Sequence, residues 1–411
     1  MKKFCVIQRG DLTALLQTKR LLLSLQRQQT DITLCVTPAT AQAAKAVYPN
    51  VRVECIYDAD VPSADIPDPL VRNVTLFETL QAASFDAVYV LPAGEGYTEC
   101  SSLFPSGNVH GVWKSTGHTL QSEWLTLLGR VTKRSVFLNK MDAWAHLVDS
   151  PVPSHVVNPI AMRKGGGIGV VLRDSDGRTV PVAILAGCIR AVSTATRASS
   201  ITLFGDAADA VYADELRAVL EDSVKASVES MCYETTFEDD AAAIGVLDML
   251  VTPESPYMHL AAHLGVPVNA FFYSSKWCME QGPYGLGHRV WQVDIPCAPC
   301  ASKECTEQFA CMDVFGGEQF QRFLGGKIDD QYPEGVTGYV SMLDEVGVTY
   351  MPVFGEEEHA HERLQLRGLA AEYLGITTCS HGVSEEAAAM WYRSGDWLCA
   401  DAACDGEGDD A

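Results

Sequence analysis

A chain of 411 residues, 47% hydrophobic and 20% charged, has apolar content enough to bury substantial cores and length enough for roughly two domains. Its formal net charge of −23 excludes a general DNA- or RNA-binding role, because Lys and Arg neutralising phosphates supply most non-specific affinity. No run approaches the ~18–20 uninterrupted apolar residues of a membrane span, and Met1-Lys2-Lys3 leads into a short strand pattern rather than a signal peptide, which predicts a cytoplasmic protein.

The first half alternates β-rich and helical patterns. Runs at Phe4 to Ile7, Ile32 to Val36, Val51 to Ile56 and Ala87 to Leu91 read as strands, and Leu12 to Gln28 and Ala39 to Tyr48 as helices. Such alternation predicts a parallel sheet. Gly94-Glu95-Gly96 follows a strand, but no helix opens after it, so it reads as loop. Between Ser150 and Gly167 the chain is rich in Pro and Gly, which places a boundary there. Gly165-Gly166-Gly167-Ile168-Gly169 precedes its strand instead of following one, so it reads as a hinge rather than a nucleotide loop.

A second series follows: strands at Ile168 to Leu172, Ile201 to Phe204, Leu247 to Val251 and Val266 to Phe272, with helices at Ala213 to Ser227 and Tyr257 to Leu264. After about Gly347 the pattern turns mainly helical, with Glu356 to Tyr373 and Ser384 to Arg393 as the stronger segments. The tail from Asp396 to Ala411 holds six acidic residues and no Lys or Arg, the composition of a solvated end. The expected organisation is a first Rossmann-like domain over 1–160, a second over 161–345, and a helical extension over 346–411. Two doubly wound α/β domains would face a central cleft, with ligands bound beyond the carboxyl ends of the strands.

The segment with most chemical content runs strand, turn, helix, strand. Thr252-Pro253-Glu254-Ser255-Pro256 opens the helix Tyr257 to Leu264, and free N–H groups with the helix dipole at such a turn favour a phosphate. Ser255 and His259 could add hydrogen bonds. The same residues would also serve as ordinary caps and a core histidine. Four of the 14 cysteines, Cys297, Cys300, Cys305 and Cys311, fall close together, at spacings that could complete a tetrahedral zinc site, hold an iron–sulfur cluster or support the loop as thiols or disulfides. The others are scattered, several in apolar runs such as Phe4-Cys5-Val6, where cysteine acts as a small hydrophobe. His359, His361 and Glu362 more simply open a solvated helix than bind metal.

Ser255, Met258, His259, Leu260 and Ala261 match a signature of Asp, Ser or Thr, Gly, Pro, Met, His, Leu, Ala. The match continues through Gly282-Pro283-Tyr284-Gly285, Gly287-His288-Arg289 and the run Cys297-Ala298-Pro299-Cys300 to Cys311-Met312. In these motifs the chain resembles glycosyltransferase family 9, the bacterial ADP-heptose:lipopolysaccharide heptosyltransferases. The resemblance implies a GT-B fold and inverting transfer from ADP-heptose to a lipid-linked saccharide acceptor, with no required metal and with peripheral contact at the inner face of the inner membrane.

On that resemblance Arg178, Glu254, Ser255, Met258 and His259 would hold the donor, and Asp11 would be the general base. The sequence also departs from the pattern. Glu254, Pro256 and Tyr257 stand where the family has Asp, Gly and Pro, and Arg178 stands for a Lys. An ungapped alignment puts Thr13 and Ala14 on the family's Gly-Asp pair, so Asp11 serves only if the loop is three residues shorter.

Overall fold

The computed structural model describes residues 1–26, 30–57, 69–92, 98–115, 117–300, 305–327, 332–355, 357, 359–376 and 383–392. The expected loop Gly94-Glu95-Gly96 and the acidic tail lie outside the described residues.

The first half begins β1 (Lys3–Ile7), α1 (Leu12–Gln17), α2 (Lys19–Gln26), β2 (Asp31–Val36), α3 (Pro38–Val47) and β3 (Arg52–Cys55). It continues with α4 (Pro69–Ala82), β4 (Ala87–Val90), β5 (Val109–Ser115), β6 (His118–Gln121), α5 (Glu123–Leu128) and α6 (Lys140–Ala145). Its sheet has the order β3-β2-β1-β4-β5-β6, parallel except for the β5–β6 hairpin. The helix expected over Leu12 to Gln28 is broken at Thr18, whose hydroxyl takes the Leu15 carbonyl at 2.6 Å. A short polar side chain that bonds the preceding turn competes with helix continuation.

The second half runs β7 (Ile168–Val171), α7 (Val182–Thr196), β8 (Ile201–Gly205), α8 (Ala210–Val219), α9 (Asp222–Lys225), β9 (Val228–Cys232) and α10 (Phe237–Gly245). Then come β10 (Met249–Pro253), α11 (Pro256–His263), β11 (Val268–Phe272), α12 (Cys278–Gln281) and β12 (Arg289–Val293). The chain closes with α13 (Ala310–Asp313), α14 (Glu318–Leu324), β13 (Val336–Leu343), β14 (Val348–Phe354), α15 (Ala360–Tyr373) and α16 (Glu385–Tyr392). The eight-stranded sheet is ordered β14-β13-β12-β11-β10-β7-β8-β9. Every residue of β11 is buried, the pattern of a parallel strand covered on both faces.

Two expectations are corrected. The helix expected over Ala213 to Ser227 ends at Val219, because Leu220 takes an extended conformation. The chain after Gly347 is first a strand. β14 pairs antiparallel with β13 and buries Val348, Tyr350 and Phe354, and its β-branched and aromatic residues suit that pleated surface.

The chain then returns to the first half. Leu366, Leu369, Ala370 and Trp391 join the core formed by Trp124, Phe137 and Trp144, and Arg130 bonds the Trp391 carbonyl at 2.8 Å. Between the halves, α1 packs on α11. Leu16 and Met141 share one buried cluster with Met258 and Ala261, and Gln17 donates to Gln281 at 2.7 Å. The architecture is a two-sheet α/β fold of the GT-B type.

Candidate active site

The turn between β10 and α11 is held by its own residues. Ser255, extended at φ −161°, is the N-cap, and its hydroxyl accepts from Met258 N and lies 2.8 Å from Thr252 Oγ1. Pro256 fits the first helical position but offers no N–H. With the Met258 amide also taken, this helix start presents fewer donors to an anion than most.

Glu254, Ser255 and His259 are all buried. The Glu254 carboxylate accepts from the Ser175 hydroxyl, while its carbonyl accepts from Ser175 N at 2.9 Å. The other carboxylate oxygen lies 3.8 Å from His259 Nε2, which has no hydrogen-bond partner among the described residues. Met258 is fully buried in the core. Its side chain is therefore structural, and only its amide faces the turn.

Ser175 belongs to the hairpin turn Asp174 to Arg178, closed by an isolated bridge between Arg173 and Thr179. Asp174 Oδ1 accepts from the amides of Asp176 and Arg178 at 3.0 and 2.7 Å, and Gly177 at φ +81° allows the reversal. Burial raises the Asp174 carboxyl above its ordinary value. Burial acts the same way on Asp176, but the hydroxyls of Ser275 and Ser274, at 2.5 and 3.1 Å, outweigh it and lower that carboxyl. Arg173 is committed to Asp209 at 2.5 Å. Arg178 is half-buried and hydrogen-bonds the Cys300 side chain.

Sequence reasoning missed Ser175, Asp174 and the Ser274-Ser275 pair as parts of this site. The one available signal was their position beyond the carboxyl ends of β7 and β11.

Asp11 is exposed at the start of α1, where it caps the helix by accepting from Ala14 N at 2.9 Å. Thr13, one of the two residues on the family's Gly-Asp pair in an ungapped alignment, is buried. α1, which Asp11 caps, packs on α11, which Ser255 caps. Gln8, at the end of β1, is buried and leaves Nε2 unpartnered among the described residues.

Cys297 and Cys305 are exposed, Cys300 is half-buried and Cys311 is buried, and all four are free thiols. Among the described residues no group of three or more His, Cys, Asp or Glu could hold a metal. Cys311 belongs to an apolar core with Ala298, Met312 and Phe315, which with the neighbouring Cys297 pushes its thiol up to about 11. This loop also borders the candidate site, where Cys300 N donates to the Ser274 carbonyl at 2.8 Å. His359 and Glu362 pair with each other at 3.1 Å.

Residues 190–310 match the family model for glycosyltransferase family 9 (heptosyltransferase). The fold of the chain is similar to that of ADP-heptose LPS heptosyltransferase II of E. coli, at 20% identity over 71% of this chain and 90% of that one, with a TM-score of 0.52. It is also similar to the glycosyl transferase family 9 structure from Veillonella parvula DSM 2008, at 15% identity over 69% of this chain and 83% of that one, with a TM-score of 0.52. No curated protein matches the sequence. Among the described residues no helix is long and apolar enough to cross a membrane.

Set beside the family 9 signature, the departures have local physical sense. The extra methylene of Glu254 over Asp lets its carboxylate reach Ser175. Pro256 in place of Gly stiffens a turn already held by Thr252 and Ser255. Both changes make the turn more self-sufficient without altering its charge.

Proposed function

We propose that the protein is an inverting glycosyltransferase that takes its sugar from a nucleotide-diphosphate sugar, ADP-heptose foremost, and passes it to a lipid-linked saccharide of the lipopolysaccharide type at the inner membrane face. The packing of α1, capped by Asp11, on α11, capped by Ser255, supports this reading. Asp11 takes the acceptor hydroxyl proton as that oxygen attacks the anomeric carbon from the face opposite the diphosphate. The anomeric C–O bond breaks and its electron pair leaves with ADP. General-base assistance of this kind contributes about 10²–10⁴-fold. Arg178 can hold the leaving diphosphate bidentately, and Ser255 and His259 border it.

The test is calorimetric titration with ADP and ADP-heptose, then a transfer assay. Binding of both ligands, weakened in His259→Ala, together with transfer lost in Asp11→Asn, is the expected result. Absence of binding at millimolar ligand overturns it.

A second reading, a relative that binds a sugar nucleotide or a protein partner without transferring sugar, is favoured by the buried carboxylate of Glu254 beside the anion-binding turn. Binding of ADP-heptose without transfer, unaltered in Asp11→Asn, would select it.

A further inference from the structure

The first half contains a cavity of about 260 Å³ walled by Leu125, Leu128, Phe137 and Trp144, with Lys140 also lining it. Trp144 is buried, and its Nε1 has no hydrogen-bond partner among the described residues. A buried indole N–H without an acceptor costs free energy that an occupant bearing an oxygen would recover. Apolar walls with one free donor suit a peptide that offers a large apolar side chain and its own backbone carbonyls.

Three observations name the peptide. The first is position. The described chain ends at Tyr392, and the ring of the preceding Trp391 lies 6.0 Å from that of Phe137. The Trp391 carbonyl accepts from Arg130 at 2.8 Å, and Arg130 sits between Gly129 and Val131 of the cavity wall. The second is composition. Among residues 393–411 the large apolar side chains are Trp397 and Leu398. Trp397 follows Trp391 by six residues, a span of up to about 20 Å when extended, so it reaches the cavity easily. The third is charge. The stretch 129–141, which supplies much of the wall, holds Arg130, Lys133, Arg134 and Lys140 and no Asp or Glu, in a chain of net charge −23. The terminal segment has the opposite character, with six acidic residues.

We propose that residues 393–411 fold back on this cavity and seat the Trp397 side chain in it. A carbonyl of the segment accepts from Trp144 Nε1, and Asp396 and Asp401 face Arg130 and Lys140. The remaining acidic residues stay in water. The short tether makes docking intramolecular, with an effective concentration on the order of millimolar, so a weak contact suffices. Glu280 of α12 also lines the cavity, so the docked segment touches both halves of the molecule and restrains their relative movement. The proposal is independent of the transferase reading.

The test is alkylation of the full chain by iodoacetamide, resolved by peptide mass spectrometry. It compares Cys399, two residues from Trp397, with Cys404, seven residues away, each rate being normalised to its value in urea. Burial of one Trp, offset by ordering of its tether, leaves a modest net gain. Cys399 should therefore react about tenfold more slowly than Cys404, the equivalent of ~1.4 kcal/mol of net docking. Trp397→Ala should remove the protection, and Lys140→Glu should reduce it. Ala143→Leu, which fills the cavity, should also remove it, and Val136→Phe is a second filling variant should the first fail to fold.

Equal normalised rates in the native chain would overturn the proposal and leave the cavity to another ligand. Protection that survives in Trp397→Ala, or in a folded filled variant, would overturn it as well. Protection that grows with protein concentration would put the segment on a second copy and overturn docking within one chain.

Discussion

Asp142 and Gly347, distant in sequence, pack so closely that a Cβ on Gly347 would lie 1.9 Å from Asp142 Oδ2. The carboxylate accepts from Arg20 at 2.6 Å, from the Tyr284 hydroxyl at 2.7 Å and from Val348 N at 2.8 Å. Arg20 also bonds the carbonyls of Val346 at 2.7 Å and Val152 at 3.0 Å. Burial opposes the charge on Arg20, but Asp142 outweighs it and raises the guanidinium above its ordinary value. One buried ion pair thus joins α2, α6, the connection at Val152, the Tyr284 loop and the β13–β14 turn.

Gly347→Ala is predicted to displace this carboxylate and destabilise the protein by about 3 kcal/mol or more, the scale of breaking a buried pair. Urea unfolding should show a lower midpoint with an unchanged slope. A change under about 0.5 kcal/mol, the range of an indifferent surface substitution, would sink the idea.

Breaking the pair from either side should cost about 3–5 kcal/mol, because each single change strands a buried charge, whereas replacing both partners with apolar residues is far less costly. Arg20→Met with Asp142→Leu should therefore lose much less than the sum of the two single variants. Strict additivity in that cycle would show that the pair does not act as a unit.

Glu254→Gln is expected to tighten ADP binding several-fold. It keeps the length that reaches Ser175 and removes a negative charge beside the turn proposed to border the donor diphosphate. Calorimetry on the variant checks this, and weaker binding would mean that the carboxylate engages the ligand directly.

Acid should destabilise the protein through two histidines. Burial, aided by Lys19, lowers His263 to about 3, and burial lowers His288 to about 4, against 6.5 when unperturbed. Both folded values lie below the unfolded one, so this contribution to stability is whole above pH 6.5 and is lost as pH falls toward the folded values. At pH 5 the loss is about 2 kcal/mol for each group. Urea midpoints at pH 7 and pH 5 measure it. His263→Gln should retain only about half of this histidine-linked loss, and an unchanged loss would refute the assignment.

Local pattern made much of the architecture legible. The β/α alternation, the strands β1 to β4, β7, β8, β10 and β11, and the helix start at Ser255 follow from periodicity and capping chemistry, which act over a few residues. Tertiary structure alone decided the rest. Ser175 meets Glu254 across 79 residues and Val348 meets Asp142 across 206, so neither partner announces the other in its own neighbourhood. The same holds for β14, a strand because β13 offers it an edge, and for Trp391, which fills the core around Trp124 and Phe137. The spacing of Cys297, Cys300, Cys305 and Cys311 was visible in the sequence, but burial in the fold decided which of those thiols faces a core and which faces solvent.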